Sequence, residues 1–207
     1  LLVAIPSFSS CSSKGNSFQI EAQASQRTLN WLKNEYGLIS EPRVQAFLNR
    51  LLFRLAAGTS TASLAVRIPQ NESPVLTRWR VFVLKSSEPN AFAIGGGSIV
   101  ISSSLFMLCR TESELASIIS HEMSHQMLGH IKEALSEAQN NNHEEEGPAR
   151  RRPTFSYSLE HEIEADRLGL LLLNLARYDV KDALSALSIG YRTSSDLVSD
   201  DWLETRT

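Results

Sequence analysis

The apolar positions of the chain mostly recur at helical spacing, interrupted in the middle by short runs of strand character. Val44, Phe47, Leu48, Leu51, Leu52 and Leu55 fall three or four apart behind Pro42, and Gly58 follows, so a helix is predicted over 42–57. A shorter helix is expected over 25–36, carrying Leu29, Trp31 and Leu32. β-Branched and aromatic residues predict strands over 63–68 and 79–84, with a loop from Pro69 to Pro74 between them. In 90–102, two apolar runs flank Gly95, Gly96 and Gly97, the pattern of a hairpin or bulged strand. Thr111-Glu112-Ser113-Glu114 forms a capping box ahead of Leu115, Ala116, Ile118 and Ile119, which starts a long helix over 112–138. A second long helix is expected over 156–177, acidic at its start and rich in leucine from Leu168 to Leu175, and a last one over 180–189. The predicted class is α+β, mainly helical, with a small, mostly antiparallel sheet packed on the 112–138 helix.

Composition narrows the picture. The chain has 207 residues, of which 42% are hydrophobic, enough for one sizeable core, expected to span 25–207. Its 20 Lys plus Arg nearly balance 23 Asp plus Glu, and no basic stripe is interleaved with aromatics, which argues against a nucleic-acid partner. No apolar run reaches the roughly 18 to 20 residues that cross a bilayer. Residues 12–24 are polar and read as a tether, and 139–153 is too polar and charged to bury itself, so a loop is expected there.

There are two cysteines, Cys11 and Cys109, too few for a disulfide framework or a cysteine metal site. Cys109 is expected to be a buried apolar side chain. The apolar run Leu1-Leu2-Val3-Ala4-Ile5 and the small residues ahead of Cys11-Ser12-Ser13 look like the end of a bacterial lipoprotein signal. Residues 1–11 are then a signal remnant, Cys11 is lipidated, and the protein faces the periplasm with membrane contact through that anchor.

The chemistry lies in His121-Glu122-Met123-Ser124-His125. On a helix, histidines four apart share a face and their imidazoles can converge on one cation, while the adjacent Glu122 carboxylate reaches a water there without ligating. A catalytic zinc site needs a third protein ligand. His130 lies about 900° round a continuous helix from His121, on the opposite face. His143 sits in the polar loop. The acidic start of the second long helix remains, with Glu160, Glu162, Glu164 and Asp166 alongside His161.

Three blocks in order, Asn90-Ala91-Phe92-Ala93 with its glycines, Glu112-Ser113-Glu114-Leu115 leading into His121 to His125, and Glu162-Ile163-Glu164-Ala165-Asp166, resemble the zinc metallopeptidases of the HtpX and type 1 CAAX prenyl endopeptidase group, peptidase family M48. The resemblance covers roughly residues 85–175. It implies a gluzincin-type domain with one zinc ion, His121, His125 and Glu162 as ligands, Asp166 orienting a ligating histidine, and Glu122 as the base that activates water. An extended protein substrate then lies along a sheet edge, for which Asn90, Ala91, Phe92, Gly96 and Gly97 are the candidates. Glu164 is expected to be a solvated side chain. Members often carry a His-Pro motif beyond the second helix. No histidine follows His161 here, so a C-terminal truncation or another oxyanion donor is expected, with Tyr191 and Arg192 as candidates. The expected function is endoproteolysis of unfolded or misassembled envelope proteins. A zinc-binding chaperone or adaptor, and a structural zinc domain, are the alternatives.

Overall fold

The computed structural model describes residues 17–66, 68, 79–140 and 157–186. These hold α1 (Ser17–Glu35), β1 (Leu38–Ile39), α2 (Pro42–Ala56), α3 (Thr59–Ala65), β2 (Arg80–Leu84), β3 (Ala91–Gly95), β4 (Ser98–Ser102), α4 (Ser103–Leu108), α5 (Glu112–Leu128), α6 (His130–Asn140), α7 (Leu159–Leu175) and α8 (Lys181–Ala186).

The strands form one sheet in the order β1-β2-β4-β3. β1 is antiparallel to β2 and β3 to β4, which makes the sheet mostly antiparallel as expected, while the central pair β2 and β4 is parallel and makes it mixed. The hairpin causes this: β3 passes outside and β4 folds back between β3 and β2. Side chains alternate between two covers, as strand geometry requires. Val81, Val83, Ile99 and Ile101 enter the main core with α2, α5 and α7, while Leu84, Ile94 and Val100 pack with Leu29 and Leu32 of α1. Covered on both faces, β4 is buried at all five positions, which is why its sequence reads as an unbroken apolar run.

α5 crosses the middle of the main core and is buried around most of its circumference. The predicted cap holds at its start: the Thr111 hydroxyl accepts the Glu114 N–H at 3.1 Å, and the Glu114 carboxylate accepts the Arg110 N–H. Its end differs from the expectation of one helix over 112–138. Gly129 turns left-handed at φ 85, where glycine carries no penalty, and α6 leaves in a new direction. α7 approaches α5 closely because Gly169 has no side chain: a Cβ there would lie 3.3 Å from the His121 nitrogen and 3.4 Å from its Cα. A clamp ties the other ends together. Arg54 of α2 pairs with Glu112 at 2.8 Å, donates to the Ala176 carbonyl at 3.1 Å and lies over the Tyr178 ring, whose hydroxyl also donates to Glu112.

The strand expected over 63–68 is instead helical as far as Ala65. Ala62, Leu64 and Ala65 are good helix formers, whereas the β-branched residues that suggested a strand, Val66 and Ile68, lie beyond the helix end. α1 begins at Ser17, so 17–24 belong to a helix and not to the tether read over 12–24. Residues 139 and 140 close α6, while 141–153, Cys11, His143, Tyr191 and Arg192 lie outside the described residues. Cys109 is buried, as expected. Because Gly169 sits against backbone, Gly169→Leu should lower the unfolding free energy by about 1 to 3 kcal/mol in urea titrations. Unchanged stability would mean that the two helices are not held at this spacing.

Candidate metal centre

Two helices supply the site. His121 and His125 are one turn apart on α5, and their Nε2 atoms lie 3.0 Å from each other. Glu162, in the first turn of α7, brings Oε2 to 3.3 Å from His121 Nε2 and Oε1 to 3.8 Å from His125 Nε2. One donor atom from each of the three lies within 4.8 Å of the others, and this is the group among the described residues with the makings of a metal site.

The donor chemistry fits a cation. Asp166, one turn after Glu162, faces His121 Nδ1 at 2.9 Å, and a carboxylate there accepts the ring proton at Nδ1 and leaves Nε2 as a bare lone pair. Burial, then His121, His130 and His161, push the His125 imidazolium down to about 3, so that ring is neutral near pH 7. Two imidazole lone pairs and a carboxylate then point at one spot, an arrangement that repels itself unless a positive ion lies between. Ligands at about 2.0 to 2.2 Å in a tetrahedral shell stand roughly 3.3 Å apart, and the observed separations bracket that value.

Glu122 follows His121 on α5 and turns toward the sheet, close enough to His121 and Glu162 to feel their charge. Its Oε2 accepts the Ala93 N–H of β3 at 2.9 Å, buried between helix and sheet. One turn on, Gln126 accepts the Gly97 N–H at 2.8 Å and donates to the Ser98 carbonyl at 3.1 Å. From the opposite side the Ser25 hydroxyl of α1 donates to the Gly95 carbonyl at 2.9 Å. The hairpin tip is thus gripped by α1 and α5. Gly95, Gly96 and Gly97 all have positive φ, at 86, 58 and 76, and the two-residue Gly96-Gly97 loop has the left-handed conformation of a tight hairpin. Among the predicted strand residues, Asn90 pairs with Ser102 and Phe92 with Val100 of β4, whereas Ala91 and Ala93 direct their backbone groups to the outer edge.

Two expectations are corrected. His130 was placed on the face opposite the site, yet the break at Gly129 swings it back so that its Nδ1 lies 3.0 Å from His125 Nδ1. Glu164, read as merely solvated, reaches His130 Nε2 at 3.2 Å. Sequence reasoning also missed the roles of three residues around the site, including His161, which it named only as a candidate donor. Tyr157 stacks on His125 with centroids 3.9 Å apart, and burial followed by Glu122 and Glu162 pushes its phenol well above the usual range, so it keeps its O–H. His161 stacks on His130 at 4.2 Å and pairs with Glu133 of α6 at 3.2 Å. Gln126, the hairpin clamp, is the third. The Gly129-His130 pair was the available signal for His130, since a glycine at that position ends a helix.

Residues 59–143 match peptidase family M48, a span that holds the hairpin and the His121 to His125 helix. The β-barrel assembly-enhancing protease of Escherichia coli K12 is 26% identical over 183 residues, 77% of this chain and 35% of that protein. The protein of the same name in Yersinia pestis is 34% identical over 102 residues, 49% of this chain and 18% of that protein. The mitochondrial metalloendopeptidase OMA1 of Schizosaccharomyces pombe is 25% identical over 123 residues, 58% of this chain and 33% of that protein. The chain therefore spans about a third of the length of the relatives it matches over most of its own. The donor set on α5 and α7, the hairpin beside it and these matches together mark residues 59–143 as a region of peptidase family M48, whose relatives here are named as proteases and metalloendopeptidases.

Proposed function

We propose that the chain is a zinc-dependent endopeptidase that hydrolyses peptide bonds in proteins, with His121, His125 and Glu162 holding the ion and Glu122 acting as the base. The observation that carries this is a buried carboxylate set between the metal-binding face of α5 and the outer edge of β3. Zinc held by these three groups supplies Lewis acidity, which polarises a scissile carbonyl and eases the ionisation of water. Glu122 takes the proton from the attacking water and delivers it to the departing amine. Asp166 keeps the His121 ring in register through Nδ1.

The substrate is proposed to run as an extra strand beside β3, pairing through backbone groups and so tolerating varied sequence. Ala91 is the member of the predicted set whose backbone faces that edge. Asn90 and Phe92 anchor β3 to β4, and Gly96 and Gly97 form the turn, Gly97 with its N–H committed to Gln126. Ala93, which the prediction left out, offers the N–H now taken by Glu122.

Unfolded or misassembled envelope proteins are the proposed substrates, and the periplasm the proposed compartment. Similarity to proteases named for enhancing β-barrel assembly supports that reading. No helix among the described residues is long and apolar enough to cross a membrane. The proposed lipid anchor on Cys11 lies outside them.

Zinc-loaded wild type should cleave an unfolded protein, and Glu122→Gln at equal zinc content should be slower by about 100-fold or more. Equal cleavage by both, or none by either at full loading, points to the binding-only alternative. Burial pushes the Glu122 carboxyl from 4.5 up to about 7, opposed by His121 and the Ala93 N–H and reinforced by Glu162. A pKa raised on folding means that stability present at low pH is lost as pH rises through that window. The metal-free Glu122→Gln chain should therefore be more stable than wild type at pH 8 by on the order of 3 kcal/mol, a gain that shrinks below about 1 kcal/mol at pH 5. Urea unfolding at the two pH values checks this, and a pH-independent difference would contradict it. Mass spectrometry of membrane fractions should find a diacylglyceryl group on Cys11, and an unmodified mature protein would end the anchor proposal.

A further inference from the structure

We propose that His130 is a positioning residue for the metal centre, fixing the ring of His125 and the nitrogen on which that ring carries its proton through a hydrogen-bond chain that ends on Glu164. The inference rests on the metal-centre reading given above. His125 Nδ1 and His130 Nδ1 are 3.0 Å apart, so one proton lies between them. His130 Nε2 faces the Glu164 carboxylate at 3.2 Å, and a carboxylate accepts only, which places the His130 proton on Nε2. A neutral imidazole has a single N–H, so His130 Nδ1 is the acceptor and His125 Nδ1 the donor. His125 Nε2 is left as the lone pair that meets His121 Nε2 and Glu162.

Both histidines of the site are thus oriented through Nδ1, but by different means. His121 is partly exposed and takes a carboxylate, Asp166, directly. The His125 side chain is 1% exposed, and a carboxylate set against it would be a buried charge. The intervening imidazole moves that charge outward to Glu164, which is 56% exposed. Two stacked rings hold the planes of the relay: Tyr157 on His125 and His161 on His130. The geometry depends on the left-handed Gly129, without which His130 would face away.

The test is zinc affinity by competition with a chromogenic chelator, which needs no catalysis. His130→Asn keeps an oxygen near the Nδ1 position, and His130→Leu keeps the bulk without an acceptor. The expected result is a loss of about 10- to 100-fold for His130→Leu and only a few-fold loss for His130→Asn. Glu164→Ala, at a half-exposed position, should weaken binding several-fold. Urea midpoints of the metal-free variants show whether each retains its fold. His130→Leu binding as tightly as wild type, equal losses for Leu and Asn, or no effect of Glu164→Ala would each overturn the proposal. Zinc binding by wild type without proteolysis would refute the endopeptidase reading while leaving this one standing. A wild-type chain that binds no zinc refutes both.

Discussion

Three electron-rich atoms on two helices point at one spot, and the rest of the structure serves to keep them there. Left alone, the facing lone pairs of His121 and His125 and the carboxylate of Glu162 repel one another, so the packing energy of α5 against α7 must hold them together when no cation does. Gly169 is where this is won, because the absent side chain lets α7 lie against the backbone of His121 two turns from Glu162. Fully buried Ala165 and Leu168 extend the same close contact. A cation bound there would meet a geometry that the core has already imposed, which is how a preorganised site limits rearrangement on binding.

The sheet is placed by the same helix that carries His121 and His125. Glu122 and Gln126, one turn apart on α5, reach into β3 and the hairpin tip, while Ser25 of α1 holds the tip from the other side. A strand edge, a buried carboxylate and the donor set are therefore fixed relative to one rigid element, the spacing that the proposed hydrolysis of an extended chain needs. The Ala93 N–H now given to Glu122 belongs to the edge on which a substrate strand is proposed to pair.

What the sequence disclosed follows from which interactions are local. His121, Glu122 and His125 share a single helix, and the Thr111 cap and the three-glycine turn are likewise contained in a few residues, so periodicity and turn chemistry locate them. Glu162 and Asp166 were legible only through a resemblance, because nothing local says which α7 carboxylate meets α5. The role of His130 was hidden by one left-handed residue: a continuous helix puts it on the wrong face, and Gly129 reverses that. Thr59–Ala65 misled for a different reason. The strand expected over 63–68 drew on Val66 and Ile68, while Ala62, Leu64 and Ala65 favour the helix that forms. The two-residue β1 and the six-residue α4 are too short to carry a period at all.

The composition of the cation's ligand shell decides whether His121, His125 and Glu162 hold it. X-ray absorption at the zinc edge of the loaded chain should give about two imidazole nitrogens and a carboxylate oxygen from the protein, at distances near 2.0 to 2.2 Å. A shell without histidine, or one containing sulfur, would contradict that assignment.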